Sequence, residues 1–475
     1  MFAGVCRRLA ILVLVLSFLT SSCALCLAAD RPFNLPRTER KVLSNGLVVI
    51  LMEKRDLPLI DFQLLIPTGS ADDPRNKEGL ASLTASLLRK GAKGRTAREI
   101  ADQVDFLGAE LSIDTKEDRT VLSLEVMSDD AAFATGLLAD MVRNPSFVQE
   151  EFDKEKQNVL ASLESDKDDL PRYASTGFRR FLLQGHPYAH PADGYSESVA
   201  RIERSDVEEF HGQAFTPKGA ILAVVGDFGA GEVFRLIRRD FSPWKAGARV
   251  VKRTLVEPPV RIEGRRICLV DKRDATQTQL RIGNVAFARN SADYFPGLVS
   301  NAILGGVFSS RLMTEVRVNR GLTYSIFSRF IPMKEGGVFS INTFTKTETV
   351  GEAVSVILEE MDRIVSGGVN EEELEKVKSF LRGQFPLSLE APEEMADLLL
   401  EVEFYGLPAD YAARFRQNVD SVTSQNVTEM ARRYFETTDL AFLALGNVSE
   451  ISPQLQTVGK TQTLDMDWKP LGATQ

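Results

Sequence analysis

Thr216-Pro217-Lys218-Gly219-Ala220-Ile221-Leu222-Ala223-Val224-Val225-Gly226-Asp227 reads as a turn, an apolar strand and a glycine stop. The same pattern returns at Thr437-Thr438-Asp439-Leu440-Ala441-Phe442-Leu443-Ala444-Leu445-Gly446-Asn447. An amphipathic helix precedes each copy, at residues 207–215 and 427–435. The repeat predicts two homologous halves of about 210 residues each. Between them, residues 243–263 contain Pro258-Pro259, mixed charge and little periodicity, the pattern of a linker. The expected organisation is therefore a leader over 1–29, a first half over 30–242, the linker over 243–263 with a hinge there, and a second half over 264–475.

Within the first half, Asn45-Gly46 between apolar stretches predicts a hairpin, and residues 57–67 continue as a strand. Leu80, Leu83, Leu87 and Leu88 fall at helical spacing in residues 78–90, and Thr96 with Glu99 forms a capping box that opens another helix. Residues 110–114 and 119–127 read as a second hairpin; 129–144 and 149–165 return to helical period. The second half repeats the theme, with strands at 266–270 and 276–287, helices after Ala292 and Ser309, strands flanking Gly336-Gly337 and helices from Glu352 onward. Strands followed by runs of helices give an α+β class.

The first 29 residues run from Arg7-Arg8 through an apolar stretch to Leu27-Ala28-Ala29, the layout of a secretory signal peptide. The apolar run is short for a membrane span, so no stable span is expected once the leader is removed. Three of the four cysteines lie in the leader; Cys268 alone remains, and a large core rather than cross-links must hold the exported chain. Cys268 itself reads as an apolar strand residue. Against 57 basic residues stand 66 acidic ones, a net charge of −9 that argues against nucleic acid as a partner.

A helical zinc-hydrolase site needs two imidazoles one turn apart and a carboxylate beside them. The chain has three histidines, His186, His190 and His211, and Pro187 interrupts the first pair where a ligand helix would have to run. None is a strong ligand candidate. The acidic run Glu164, Asp166, Asp168 and Asp169 reads as a solvated helix end before Leu170-Pro171. Neither Gly305-Gly306 nor the Gly91 to Thr96 segment carries a full nucleotide-binding fingerprint.

Asn45-Gly46-Leu47, Gly79 opening a helix, His186-Pro187-Tyr188 and Pro217 before Gly226-Asp227 together resemble the insulinase/pitrilysin-type metallopeptidases, especially the mitochondrial processing peptidase-like branch. The likeness is most specific at Gly305-Gly306, Ser309-Ser310-Arg311-Leu312, Glu315-Val316-Arg317 and Gly321-Leu322-Thr323-Tyr324-Ser325. It implies two halves in a clam-shell arrangement, each a mainly antiparallel sheet covered by helices. Active members carry His-x-x-Glu-His on the helix that here spans 78–90, and its register falls on Ser82, Ala85 and Ser86. Glu155 matches an acidic position seven residues before the family's third ligand, which places that slot at Ser162. The resemblance thus implies a degenerate site, with no metal and no cofactor on this chain.

In two-subunit relatives the zinc-free chain contributes an arginine and a tyrosine seven residues apart, and Arg317 and Tyr324 have that spacing. By resemblance they hold the substrate main chain, with Gly305 and Gly306 in a flexible segment near it. The expected function is a noncatalytic subunit of an exported, periplasmic zinc endopeptidase, paired with a homologous zinc-bearing subunit and acting on unfolded peptides. The alternative is an assembly or binding module with the same fold and no proteolytic role.

Overall fold

The computed structural model describes residues 35–245 and 258–471; the leader and most of the linker lie outside the described residues. The first half carries strands β1 (Thr38–Val42), β2 (Val48–Glu53), β3 (Leu59–Ile66), β4 (Glu110–Thr115), β5 (Thr120–Met127) and β6 (Ile221–Gly226). Its helices are α1 (Leu80–Leu87), α2 (Ala97–Phe106), α3 (Ala131–Arg143), α4 (Gln149–Ser165), α5 (Leu170–Leu182), α6 (Arg204–Ala214) and α7 (Ala230–Phe241). The second half has β7 (Arg266–Asp271), β8 (Gln277–Ala286), β9 (Ile326–Met333), β10 (Gly336–Lys346), β11 (Ala441–Gly446) and β12 (Lys460–Leu464). Its helices are α8 (Tyr294–Asn301), α9 (Val350–Gly367), α10 (Glu371–Leu387), α11 (Pro392–Tyr405), α12 (Tyr411–Asp420), α13 (Ser424–Tyr434) and α14 (Val448–Leu455).

Local signals account for the entry into each element. At the first hairpin Gly46 takes φ +96°, a conformation that glycine adopts without a Cβ penalty, and the Asn45 side chain accepts the Leu47 N–H at 3.2 Å. Thr96 and Glu99 cap α2 reciprocally, each side chain accepting the other's backbone N–H. The helix expected over 78–90 is α over Leu80–Leu87 and tightens into a 3₁₀ turn at Leu88–Lys90. Gly336-Gly337 opens β10 instead of lying between two strands.

The repeat is visible in topology. Sheet one runs β1-β2-β6-β3-β5-β4 and sheet two runs β9-β10-β8-β11-β7-β12. The repeated strands occupy equivalent places: β6 lies parallel to β2 and antiparallel to β3, and β11 lies parallel to β7 and antiparallel to β8. Antiparallel pairs predominate in both sheets. The halves differ at one edge, where β1 is antiparallel to β2 but β12 is parallel to β7.

Both repeated strands are buried along their whole length, because both faces of each sheet are covered. Leu222 and Val224 face the first half's own helices, whereas Ile221, Ala223 and Val225 join the core of the second half. The cover on that face is α11 of the second half, packed on β3 and β6. Reciprocally, α5 of the first half packs on β8 and β11, and Tyr173, Phe178 and Leu182 meet Cys268, Val270, Leu443 and Leu445. Burying side chains of this kind is worth about 1.5–3 kcal/mol each. The exchange therefore ties the halves together over a wide apolar contact, so the linker expected to act as a hinge is not their sole connection. Cys268 is fully buried in β7, and burial pushes its thiol up to about 11, the environment of an inert packing residue.

Candidate functional site

Helix α1 begins where the buried Asp73 carboxylate accepts the N–H groups of Gly79 and Ala81, both at 2.7 Å. Burial pushes Asp73 well above the usual carboxylate range, against the pull of those two bonds. On this helix Ser82 and Ser86 stand one turn apart and half-buried, with Ala85 buried beside them. The Ser82 hydroxyl donates to Asp193 Oδ1 at 2.9 Å, and the Ser86 hydroxyl donates back to the Leu83 carbonyl at 3.0 Å. Helix α4 packs against α1, and Ser162 lies exposed on its last turn. Glu155, the conspicuous acid of α4, is held by Lys90 at 3.0 Å.

The four positions thus come from two packed helices, yet they present hydroxyls and a methyl where a zinc site needs imidazoles and carboxylates. Among the described residues no group of three His, Cys, Asp or Glu side chains could hold a metal ion. His211 donates its Nε2–H to the Val142 carbonyl at 3.0 Å, between the rings of Phe147 and Phe215; burial lowers it to about 4. Burial also lowers His190, whose Nδ1 lies 3.0 Å from the Pro191 carbonyl, and His186 accepts the Tyr188 N–H. The acidic run is engaged in local structure: Glu164 and Asp467 hold Lys167, Asp166 holds Arg172, and Asp169 caps α5.

Restoring the ligand set gives a direct check of this geometry. The combined variant Ser82→His, Ala85→Glu, Ser86→His and Ser162→Glu should take up one zinc per chain, measured by elemental analysis after dialysis. Ala85 is 1% exposed, so the new glutamate should also lower stability by about 1–3 kcal/mol through overpacking. A folded variant without zinc would show that these positions do not converge.

In the second half, α8 runs into a π-helical turn over Ala302–Gly306, and a second π-helical stretch covers Met313–Asn319. The helical period after Ser309 foretold a helix but not this wider winding, which is frequent at functional sites. Gly305 is buried so close to β9 that an added Cβ would lie 2.6 Å from Ser328 Oγ; at Gly306 it would lie 2.5 Å from the Asn301 amide. The glycines thus permit close packing of the segment that presents Phe308.

Arg317 sits on the second π-helical stretch with its guanidinium 5.2 Å from the Phe308 ring centre. Its neighbours are engaged: Arg311 binds Glu373 at 2.7 Å and Arg320 binds Glu315 at 3.1 Å. Arg317 has no carboxylate partner among the described residues. Tyr324 is 80% exposed, while the backbone around it is fixed from β10: Thr345 donates to the Leu322 carbonyl at 2.8 Å and Thr343 to the Ser325 carbonyl at 2.9 Å. A half-buried guanidinium, held by Met313 Sδ at 3.7 Å and by the Phe308 ring but by no carboxylate, and an exposed phenol therefore sit on a rigid frame that also exposes Phe308, Val318 and Phe327. Phe308 and Asp193 were not singled out in the sequence; neither has a motif that marks its contact with Arg317 or Ser82.

The insulinase (peptidase family M16) model matches residues 48–181, and the peptidase M16 inactive-domain model matches residues 201–381. An uncharacterized zinc protease of Mycobacterium leprae is 29% identical over 399 residues, covering 83% of this chain and 88% of that protein. The non-peptidase homolog YmxG of Helicobacter pylori is 23% identical over 411 residues, covering 86% of this chain and 94% of its own length. The crystal structure of a peptidase M16 inactive domain from Pseudomonas fluorescens superposes with a TM-score of 0.80 at 28% identity, covering 86% of this chain and 98% of that one. Two successive matches to one family, over a fold shared with such relatives, place the chain in the insulinase peptidase family M16, and its likeness to an M16 inactive domain and to a non-peptidase homolog supports a noncatalytic member.

Proposed function

We propose that this chain is the noncatalytic subunit of a two-chain zinc endopeptidase. A homologous partner supplies zinc, and this chain supplies Arg317, Tyr324 and half of an enclosing chamber for unfolded peptides. Arg317 donates its forked N–H groups to a peptide carbonyl, and the Tyr324 phenol donates to the oxyanion that forms during hydrolysis. Gly305 and Gly306 let the Phe308 segment approach the peptide. The signal-peptide layout of residues 1–29 supports an exported, periplasmic location.

The carrying observation is the contrast between the halves. The first has serine and alanine at its metal positions, yet the second keeps an Arg317 without an acid partner and a Tyr324 exposed on a braced loop. An assembly module has no chemical use for that pair. The test is reconstitution: the purified chain and a zinc-bearing homologue are assayed on an unfolded peptide, separately and mixed. The chain alone should cleave nothing and the mixture should cleave. Full activity of the homologue alone, unaltered by this chain, would favour the assembly-module reading.

A further inference from the structure

Helix α5, the chain just after β4, the loop around Asp193 and strands β9 and β10 line a cavity of about 280 Å³ between the halves. It adjoins the degenerate metal helix, since the Asp193 in its wall accepts from Ser82. Its charges do not cancel. Glu117 is held by Arg179, and Asp193 by Arg172 at 3.4 Å. Arg329 also lines the cavity; its guanidinium lies 5.8 Å from the Phe327 ring centre and has no carboxylate partner among the described residues.

Behind the wall lies Arg281 on β8, 4% exposed. It donates to Ser175 Oγ at 2.9 Å, the Pro171 carbonyl at 2.6 Å and the Thr343 carbonyl at 3.2 Å, all neutral acceptors. These bonds fix α5 to sheet two but leave the positive charge uncompensated. Burial, and then repulsion from Arg329, bring Arg281 down to about 10; burial and Arg179 lower Arg329. An anion entering the cavity would relieve both.

We propose that this cavity is an anion site that receives a carboxylate of a bound peptide, with Arg329 as its direct donor and Arg281 as the fixed charge behind it. Ser340, Asn342 and Thr176 in the wall offer neutral polar groups to the same ligand. Arginine forks match a carboxylate in two parallel bonds, and the small volume suits a side chain or a chain end. The inference rests on the reading of this chain as a peptide-binding subunit. It names the carboxylate as what that peptide must carry.

The test titrates the intact chain, without any partner, with three labelled unstructured peptides. One has a free C-terminus and no acidic residue, one is amidated with a single internal glutamate, and one is amidated with no carboxylate. Fluorescence anisotropy gives Kd for the wild type, R329Q and R329K. A carboxylate peptide should bind at least about tenfold more weakly to R329Q, should largely retain affinity for R329K, and should weaken with added salt. Which of the two carboxylate peptides responds identifies the source, a chain end or an acidic side chain. Equal binding of the carboxylate-free peptide, unchanged binding to R329Q, or no binding of any peptide overturns the proposal. Cleavage is not measured, so the subunit reading stands or falls separately, on reconstitution.

Discussion

Replacing Arg317 with alanine and Tyr324 with phenylalanine together should lower kcat/KM of the reconstituted peptidase by about 10²–10³, the scale on which a lost oxyanion donor acts. The two changes should separate kinetically. In the proposed role Arg317 contacts substrate in the ground state and the transition state alike, so Arg317→Ala alone should chiefly raise KM. Tyr324→Phe keeps the ring and removes the donor that matters when charge develops, so it should chiefly lower kcat. Neither side chain holds the fold together: Tyr324 is 80% exposed, and Arg317 packs on Phe308 without a carboxylate. Complex formation and thermal stability of the chain should therefore be almost unchanged. Activity within about threefold of the parent in the double variant would move the account to the assembly-module reading.

Asp61→Asn should stabilise the chain at pH 8 by a few kcal/mol while changing little near pH 4, on the scale of about 1.4 kcal/mol per pKa unit. Asp61 lies on β3 on the face that α11 covers, 2% exposed, with Oδ2 unpartnered; the neighbouring Gln63 has Oε1 unpartnered and donates to the Glu393 carbonyl at 3.1 Å. Burial is the main cause that lifts Asp61 from 3.8 to about 7; the Gln63 hydrogen bond opposes it, and Glu393, Glu125 and Asp397 add to it. Glu125 is the residue paired with Asp61 across β5, and Glu393 and Asp397 come from α11. Between pH 3.8 and about 7 the folded chain binds a proton that the unfolded chain has released. Stability is therefore fully present below that window and falls as pH rises through it. Urea unfolding at pH 5 and pH 8 reads the effect: the parent should lose stability across that interval, and Asp61→Asn should lose less. Identical pH slopes would show that Asp61 is already ionised in the fold at pH 5, as it is in the unfolded chain, and that burial does not raise it.

The sequence carried the two halves because the repeat lies in strands at the centre of both sheets, where a glycine stop and an apolar run are demanded twice. It did not carry the exchange of α5 and α11. Helical period records that a face is apolar, not which sheet that face meets, and nothing in Tyr173, Phe178 or Leu182 names the second half as their partner. Asp61 and Gln63 illustrate the same gap. Alternating polar residues on a strand describe a sheet with one wetted face, and α11, arriving from residues 392–405, is what covers it. At the site, the expectation that Ser82, Ala85, Ser86 and Ser162 stand where zinc ligands would be rests on residue type, since hydroxyls and a methyl cannot do zinc chemistry. The environment of Arg317 was not. Arg311, Arg317 and Arg320 look alike in sequence, and only the placement of Glu373 and Glu315 distinguishes the two arginines with a carboxylate partner from the one without.

The central claim is that this chain works through a zinc-bearing partner. Affinity purification of the tagged chain from its native host, with mass spectrometry and zinc analysis of the eluate, tests it most directly. The account predicts a one-to-one complex with a homologue that retains His-x-x-Glu-His, one zinc per pair, and peptide hydrolysis abolished by a chelator. Stoichiometric zinc and hydrolysis in the chain by itself, or a stable complex that contains no metallopeptidase, would contradict it.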